Sequence, residues 1–170
     1  RKPSVPNLDF PQLTSASEAL HSPNQSLRYW GWRELRRMNR GAEYLLEKLY
    51  RSPDPRMKAR ALHLLARMPD RGVEYLVRGL DDGDPNIRIA TLRIARQLDF
   101  NMVPYVEKLL NDPSPQVRRE CALAIARYAL PKAQDLWAKL AAQHDGMDRW
   151  YLEALGIGMW RNETDFFNAW

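Results

Sequence analysis

The sequence predicts an all-α chain, a right-handed α–α superhelix of five stacked helix pairs behind an N-terminal extension. Three observations carry this. The chain repeats itself every 30 residues: segments opening at Asn24, Asp54, Asp84, Ser114 and His144 align without a gap. A period of this length is the signature of a stacked repeat architecture. Four of the five opening residues are good helix N-caps, whose side chains accept bonds from first-turn amides. Apolar residues then recur at helical spacing, and strand signals are missing throughout.

The rows predict first helices starting near residues 25, 55, 85, 115 and 147. An apolar column runs through Leu27, Met57, Ile87, Val117 and Met147. In three rows proline follows the cap, at the first helical position, where its missing N–H has no partner to lose. The second row continues with Ala61, Leu62, Leu64, Leu65 and Met68, and the third with Thr91, Leu92, Ile94, Ala95 and Leu98. After a short break such as Pro69-Asp70-Arg71-Gly72, a second amphipathic helix carries Tyr75, Leu76 and Leu80. Tyr105, Val106 and Leu110 match these, as do Leu136 and Leu140. Tyr44, Leu45 and Leu49 come one position early, which predicts a turn shorter by one residue in the first pair. Neither helix of a pair can hide its apolar face except against the next pair.

The repeats fall near 22–51, 52–81, 82–111, 112–141 and 142–170, so 22–170 reads as one repeat domain. Residues 1–21 read as a linker with Pro3, Pro6 and Pro11, then a short capping helix. Ser15-Ala16-Ser17-Glu18 has the form of a capping box, opening a helix through about His21. The chain opens with Arg1 rather than Met and reads as cut from a longer protein. Asp165, Phe166, Phe167 and Trp170 fall in the columns of Asp135, Leu136, Trp137 and Leu140, with no polar capping repeat after them.

The pattern Asp-x-x-apolar-Arg-x-x-small-apolar, as in Asp84-Pro85-Asn86-Ile87-Arg88-Ile89-Ala90-Thr91-Leu92, resembles the short bacterial HEAT-like repeat of the bilin-lyase type. The resemblance covers residues 22–170. It implies a protein-binding scaffold that uses the faces of its first and second helices separately and rarely catalyses a reaction. A narrower resemblance lies at Asp148-Arg149-Trp150-Tyr151-Leu152-Glu153-Ala154-Leu155-Gly156. This run is similar to the repeat region of large exported bacterial proteins that join a sugar-dehydrogenase-like propeller, HEAT-like repeats and a c-type cytochrome. That resemblance implies a periplasmic or secreted parent oxidoreductase. The haem attachment motif Cys-x-x-Cys-His is not in this sequence, so no haem is assigned to it.

A net charge of +5 invites a nucleic-acid reading until the charge is located. Residues 22–60 hold ten Lys/Arg against four Asp/Glu, while 61–170 hold fourteen against fifteen. The excess is a local patch. The single cysteine, Cys121, excludes an internal disulfide and shares a column with Ala61 and Thr91, which reads as buried and inert. No apolar run approaches the roughly 20 residues that span a bilayer.

No catalytic residue, metal ligand or cofactor follows from the sequence. His21, His63 and His144 lie in different repeats, and His63 stands in a mostly polar column with Arg33, Arg93, Leu123 and Glu153, which reads as a surface histidine. Arg28, Lys58, Arg88 and Arg118 recur at the repeat period. They read as a ladder of pairs to acidic caps one repeat on, such as Asp54 and Asp84. Arg33, Arg36, Arg37 and Arg40 are different, because only Arg37 is echoed by basic residues, at Arg67 and Arg127. Such a cluster suits an acidic protein surface or a phosphate backbone, and equally a solvated helix face. Trp32 shares a column with Leu62, Leu92, Ala122 and Leu152 and reads as core. Trp30 and Trp150 share a column with Arg60, Ala90 and Glu120, which reads as water-facing, so the two tryptophans either contact something outside the regular stack or are capped by the terminal segments, and at least one of them is expected outside the inter-helix core. Glu34 stands in the column of Leu64, Ile94, Ala124 and Ala154 and needs an arginine from the N-terminal segment or from its own helix.

The candidate interaction surface is therefore Trp30, Arg33, Arg36, Arg37, Arg40, Trp150, Phe167 and Trp170, with Phe167 or Trp170 expected to be exposed. The leading reading is a non-catalytic interaction or interdomain scaffold module. Its partners are neighbouring domains of the same chain or an acidic protein, and its oligomeric state is open. The alternative is a DNA-binding protein resembling the HEAT-like alkylpurine glycosylases. Against it, the second helices are mixed in sign (Glu43, Glu47, Lys48; Glu74, Arg78; Glu107, Lys108), whereas a DNA groove needs basic charge along its length. A third reading, a lyase-like chaperone for a bilin, rests on repeat similarity alone.

Overall fold

Helices begin where the repeat places its caps. The structure, a computed structural model, describes residues 12–126 and 131–170, and every regular element among them is helical. α1 spans Leu13–Ala19. Five pairs follow: α2 (Gln25–Met38) with α3 (Glu43–Tyr50), α4 (Pro55–Leu65) with α5 (Gly72–Leu80), α6 (Pro85–Gln97) with α7 (Val103–Leu109), α8 (Pro115–Ala124) with α9 (Pro131–Ala141), and α10 (Arg149–Gly158) with α11 (Glu163–Ala169). The chain divides into two compact units, Arg1–Tyr75 and Leu76–Trp170. In the first, α1 packs on α2 and α3 on α4. Gly31 permits the first contact, because a Cβ there would lie 2.5 Å from the Ala16 carbonyl oxygen. In the second unit, first helices stack on first helices (α6 on α8, α8 on α10) and second on second (α7 on α9, α9 on α11).

The turn before each first helix is built the same way. Asn24, Asp54 and Asp84 sit in extended backbone and accept the amide two residues on, at 2.9, 2.9 and 2.8 Å. Ser114 takes the same backbone conformation, but its hydroxyl donates to Gln116 Oε1 instead of accepting a helix amide. The cap residue's own N–H is held too. Ser22, Ser52, Asp82 and Asp112, two residues earlier, accept it at 2.8–3.2 Å. This column of short polar side chains recurs at the 30-residue period, yet the apolar pattern gives no hint of it.

The recurring arginines do not form the ladder to acidic caps that their spacing suggests. Arg28, Arg88 and Arg118 reach back six residues into their own turn. Their Nη1 atoms donate to the carbonyls of Ser22 (2.9 Å), Asp82 (2.7 Å) and Asp112 (2.6 Å). Turn carbonyls lie over the first helical turn, within reach of a long side chain, so the arginine ties the turn to the helix. An inter-repeat pair forms at Arg88, whose Nε and Nη2 bind both oxygens of Asp112 at 2.7 and 2.8 Å. Both side chains are nearly buried, at 11% and 4% exposure. Asp112 thereby holds the Ser114 amide, the Arg88 guanidinium and, through its carbonyl, Arg118. One repeat on, Ala142 replaces this aspartate, and Arg118 Nε is buried with no hydrogen-bond partner among the described residues.

Other expectations need correction. α1 starts at Leu13, with Gln12 at its cap position in extended backbone, so Ser15 is already helical and forms no capping box; Pro3, Pro6 and Pro11 lie outside the described residues. The first pair is not shortened by one residue. A 3₁₀ turn, Asn39–Ala42, leads into α3, which buries Leu46 and Tyr50 and exposes Tyr44. Leu46 thus aligns with Leu76 at the full 30-residue period. α10 starts at Arg149 rather than 147, because Gly146 turns the chain at φ +80° and Asp148 becomes the cap, 3.1 Å from the Tyr151 amide. Met147 therefore leaves its apolar column and is exposed.

The column shared by Trp30 and Trp150 is not simply water-facing. It lies over the seam to the preceding helix. Arg60 donates to the Leu20 carbonyl, and Glu120, 4% exposed, accepts from Arg93 Nη2 at 2.7 Å with Arg96 3.7 Å away. Cys121 is fully buried, and burial pushes its thiol pKa up, as an inert position requires.

Asp112→Ala leaves a nearly buried guanidinium without its carboxylate and is expected to cost about 3–5 kcal/mol. Asp84→Ala removes a cap alone and is expected to cost about 0.5–2 kcal/mol. Urea unfolding of the two variants checks the order, and equal losses would contradict the role given to Asp112.

Candidate interaction surfaces

The aromatics and most basic residues of α2, with Arg40 in the 3₁₀ turn that follows, form one face because they recur three and four positions apart. Tyr29, Trp30, Arg33, Arg36, Arg37 and Arg40 are all exposed. The Arg33 guanidinium lies over the Trp30 ring, 3.8 Å from its centroid, and Arg36 lies 5.3 Å over Trp32. Tyr29 ties the two tryptophans together, edge-on to Trp30 and stacked on Trp32. A guanidinium lying on a ring is partly desolvated and held flat, with its N–H fork turned outward.

Neighbouring carboxylates claim only part of this charge. Glu34 accepts from Arg37 Nε at 2.9 Å and from Arg33 Nη2 at 3.4 Å, so its partners come from its own helix. The Arg37 hydrogen bond is the main cause that holds the Glu34 carboxyl below its ordinary range, against the upward push of burial. Arg40 reaches Asp70 at 3.4 Å, both side chains largely exposed, a geometry of little energetic weight. Arg36 has no carboxylate partner among the described residues.

Trp32 and His63 depart from expectation together. Trp32 is only half-buried, and its Nε1 donates to His63 Nδ1 at 3.2 Å. His63 is half-buried beneath the aromatic cluster, serving as its acceptor rather than as a surface group.

Trp150, Phe167 and Trp170 belong to the second unit and are exposed at 67%, 52% and 70%. The structure does not join all three. Trp150 borders a groove of about 380 Å³ with Arg119, Leu123, Glu153 and Ile157. Phe167 and Trp170 lie 6.4 Å apart, ring to ring, and close a separate groove of about 340 Å³ over Leu152, Gly156 and Met159. Sequence reasoning passed over Tyr29, Ile157 and Trp160 and set Leu152 in a core column, yet all four are exposed. A column signal existed for Leu152, but it pointed to the core, since Leu62, Leu92 and Ala122 are buried.

Among the described residues no group of three or more His, Cys, Asp or Glu side chains is placed to hold a metal. No helix among them is long and apolar enough to cross a membrane. Charges on and beside the second helices pair across neighbours within each unit: Arg71 with Glu43 in the first, Lys108 with Asp81 and Lys132 with Glu107 in the second.

Residues 73–156 match the family model for HEAT repeats. This segment carries HEAT-like repeats. The matched segment runs from α5 into α10 and includes α6 to α9 and the Arg88–Asp112 turn described above. Comparison with curated proteins and with solved structures gives no match.

The Arg37–Glu34 pair has a definite pH signature. The carboxyl is depressed below its ordinary 4.5, so the pair's contribution is in place above that value and is lost as pH falls through the lowered one. Arg37→Gln is expected to move the Glu34 midpoint upward in an NMR titration. An unmoved midpoint would show that another group holds the carboxylate.

Proposed function

We propose that the chain is a non-catalytic interaction module that holds protein surfaces in fixed relation, with the α2 face as its contact for an acidic partner. HEAT repeats commonly mediate protein–protein contacts, which supports the general reading. The observation that carries the specific one is the guanidinium–aromatic ladder of Trp30, Arg33, Trp32 and Arg36. It combines flat, part-desolvated donors with exposed ring surface, the residue types that dominate binding energy at protein interfaces. The paired charges of the second helices weigh against a DNA groove, which needs unpaired basic charge along its length.

The wider setting, a scaffold between the domains of an exported redox protein, rests on the run from Asp148 to Gly156 alone. A Cys-x-x-Cys-His motif in the same gene product is the observation that would support it.

A short oligoglutamate peptide and duplex DNA, titrated separately at moderate salt, test the α2 reading. The peptide is expected to shift the Trp30 indole resonance, and Arg33→Glu with Arg36→Glu is expected to weaken that binding about tenfold or more. Added salt is expected to weaken it further, because exposed charges are screened. Retention of duplex DNA at micromolar protein, with no response to the peptide, would overturn the reading in favour of nucleic acid.

A further inference from the structure

The face that α10 and α11 turn away from α8 and α9 has the columns of a covered surface but no cover among the described residues. Ala122, Trp137 and Leu140 are 0%, 3% and 0% exposed. Leu152, Phe167 and Trp170 occupy the same three columns one repeat on and are 59%, 52% and 70% exposed. Nothing about these side chains suits them to water. They line the groove of about 340 Å³ with Gly156 and Met159.

What lies on the equivalent surface one step back is visible. α10 crosses α8 with Gly158 at the crossing, where a Cβ would lie 2.8 Å from the Ala122 carbonyl oxygen and 3.2 Å from the Trp137 ring. Trp137 Nε1 donates to the Leu155 carbonyl at 2.9 Å, and its ring meets Phe166 edge-on at 5.6 Å. A first helix with a small residue at the crossing, followed by a second helix bringing an aromatic, is therefore what this surface receives. The groove over Leu152 and Phe167 continues that same stacking interface.

We propose that the α10–α11 face is a docking seat for a further helical hairpin of the same repeat type. Its first helix lies along Leu152, Gly156 and Met159 and sets a small residue against Phe167. Gly156 has no role in the chain by itself: it is exposed, helical, and a Cβ there would meet open space. Under a docked helix it keeps the groove floor low. This seat is independent of the α2 surface, and neither reading requires the other.

The test fuses a second copy of residues 141–170 after Trp170 of the full chain, which keeps the 30-residue period. If the seat accepts a hairpin, the thermal midpoint is expected to rise by about 5 °C or more. The Trp170 side chain becomes protected from quencher, and the protein stays monomeric. Phe167→Asp with Trp170→Asp, at positions exposed in the parent, is expected to erase the gain while leaving the unfused chain folded. The proposal fails if the midpoint is unchanged and the added amides exchange freely. It fails equally if the unfused chain self-associates with Trp170 protected, since a second copy is then the occupant.

Discussion

Everything in this molecule depends on one constraint: no helix pair can bury its apolar face alone. Each short amphipathic pair leaves one side to be covered by a neighbour, so burial accumulates along the stack rather than around a central core. In the second unit the chain solves this by repetition. Gly158 lets α10 settle on α8, and Trp137 spans from α9 to the α10 backbone. The polar turns serve the same end. A short polar side chain holds the cap residue's amide, the cap holds the helix, and an arginine ties the turn carbonyl to the first helical turn. At Asp112 these bonds converge with a nearly buried ion pair between consecutive repeats. There the register of the stack is specified by geometry as well as by apolar area.

The candidate surfaces arise where that repetition breaks. A column in which Arg60 and Glu120 bond across the seam carries tryptophan at Trp30 and Trp150. On α2 the break coincides with a guanidinium ladder. On α10 it borders a groove with Ile157 and Leu123. The chemistry at these places is that of association: flat cations, rings and uncovered apolar grooves.

Much of the fold was legible because it is periodic. The starts of α2, α4, α6 and α8, the proline positions, the burial of Cys121 and the exposure of Trp150, Phe167 and Trp170 all follow from column reading. What escaped was whatever depends on the third dimension of a turn. Spacing linked the arginines to acidic caps one repeat on, but a side chain six residues from its own turn carbonyl reaches that carbonyl first. Tyr44 and Leu45 mimicked a shifted register, because adjacent apolar residues fit two helical phases and packing chose the one that buries Leu46. Met147 matched its column perfectly well in one dimension, until Gly146 delayed the helix. The column of Glu120 read as solvent-facing because three of its five members are polar or small. It lies over a seam, where a charge can be buried if two arginines meet it.

If burial is passed from neighbour to neighbour, protection should fall towards an uncovered face. Native-state amide exchange of the free chain measures this directly within the second unit. The account predicts slow exchange in α8, which is covered by α6 and α10, intermediate exchange in α10, and the fastest in α11. Equal protection of α8 and α11 would contradict it, because the α10–α11 face would then be covered by something other than a stacked neighbour.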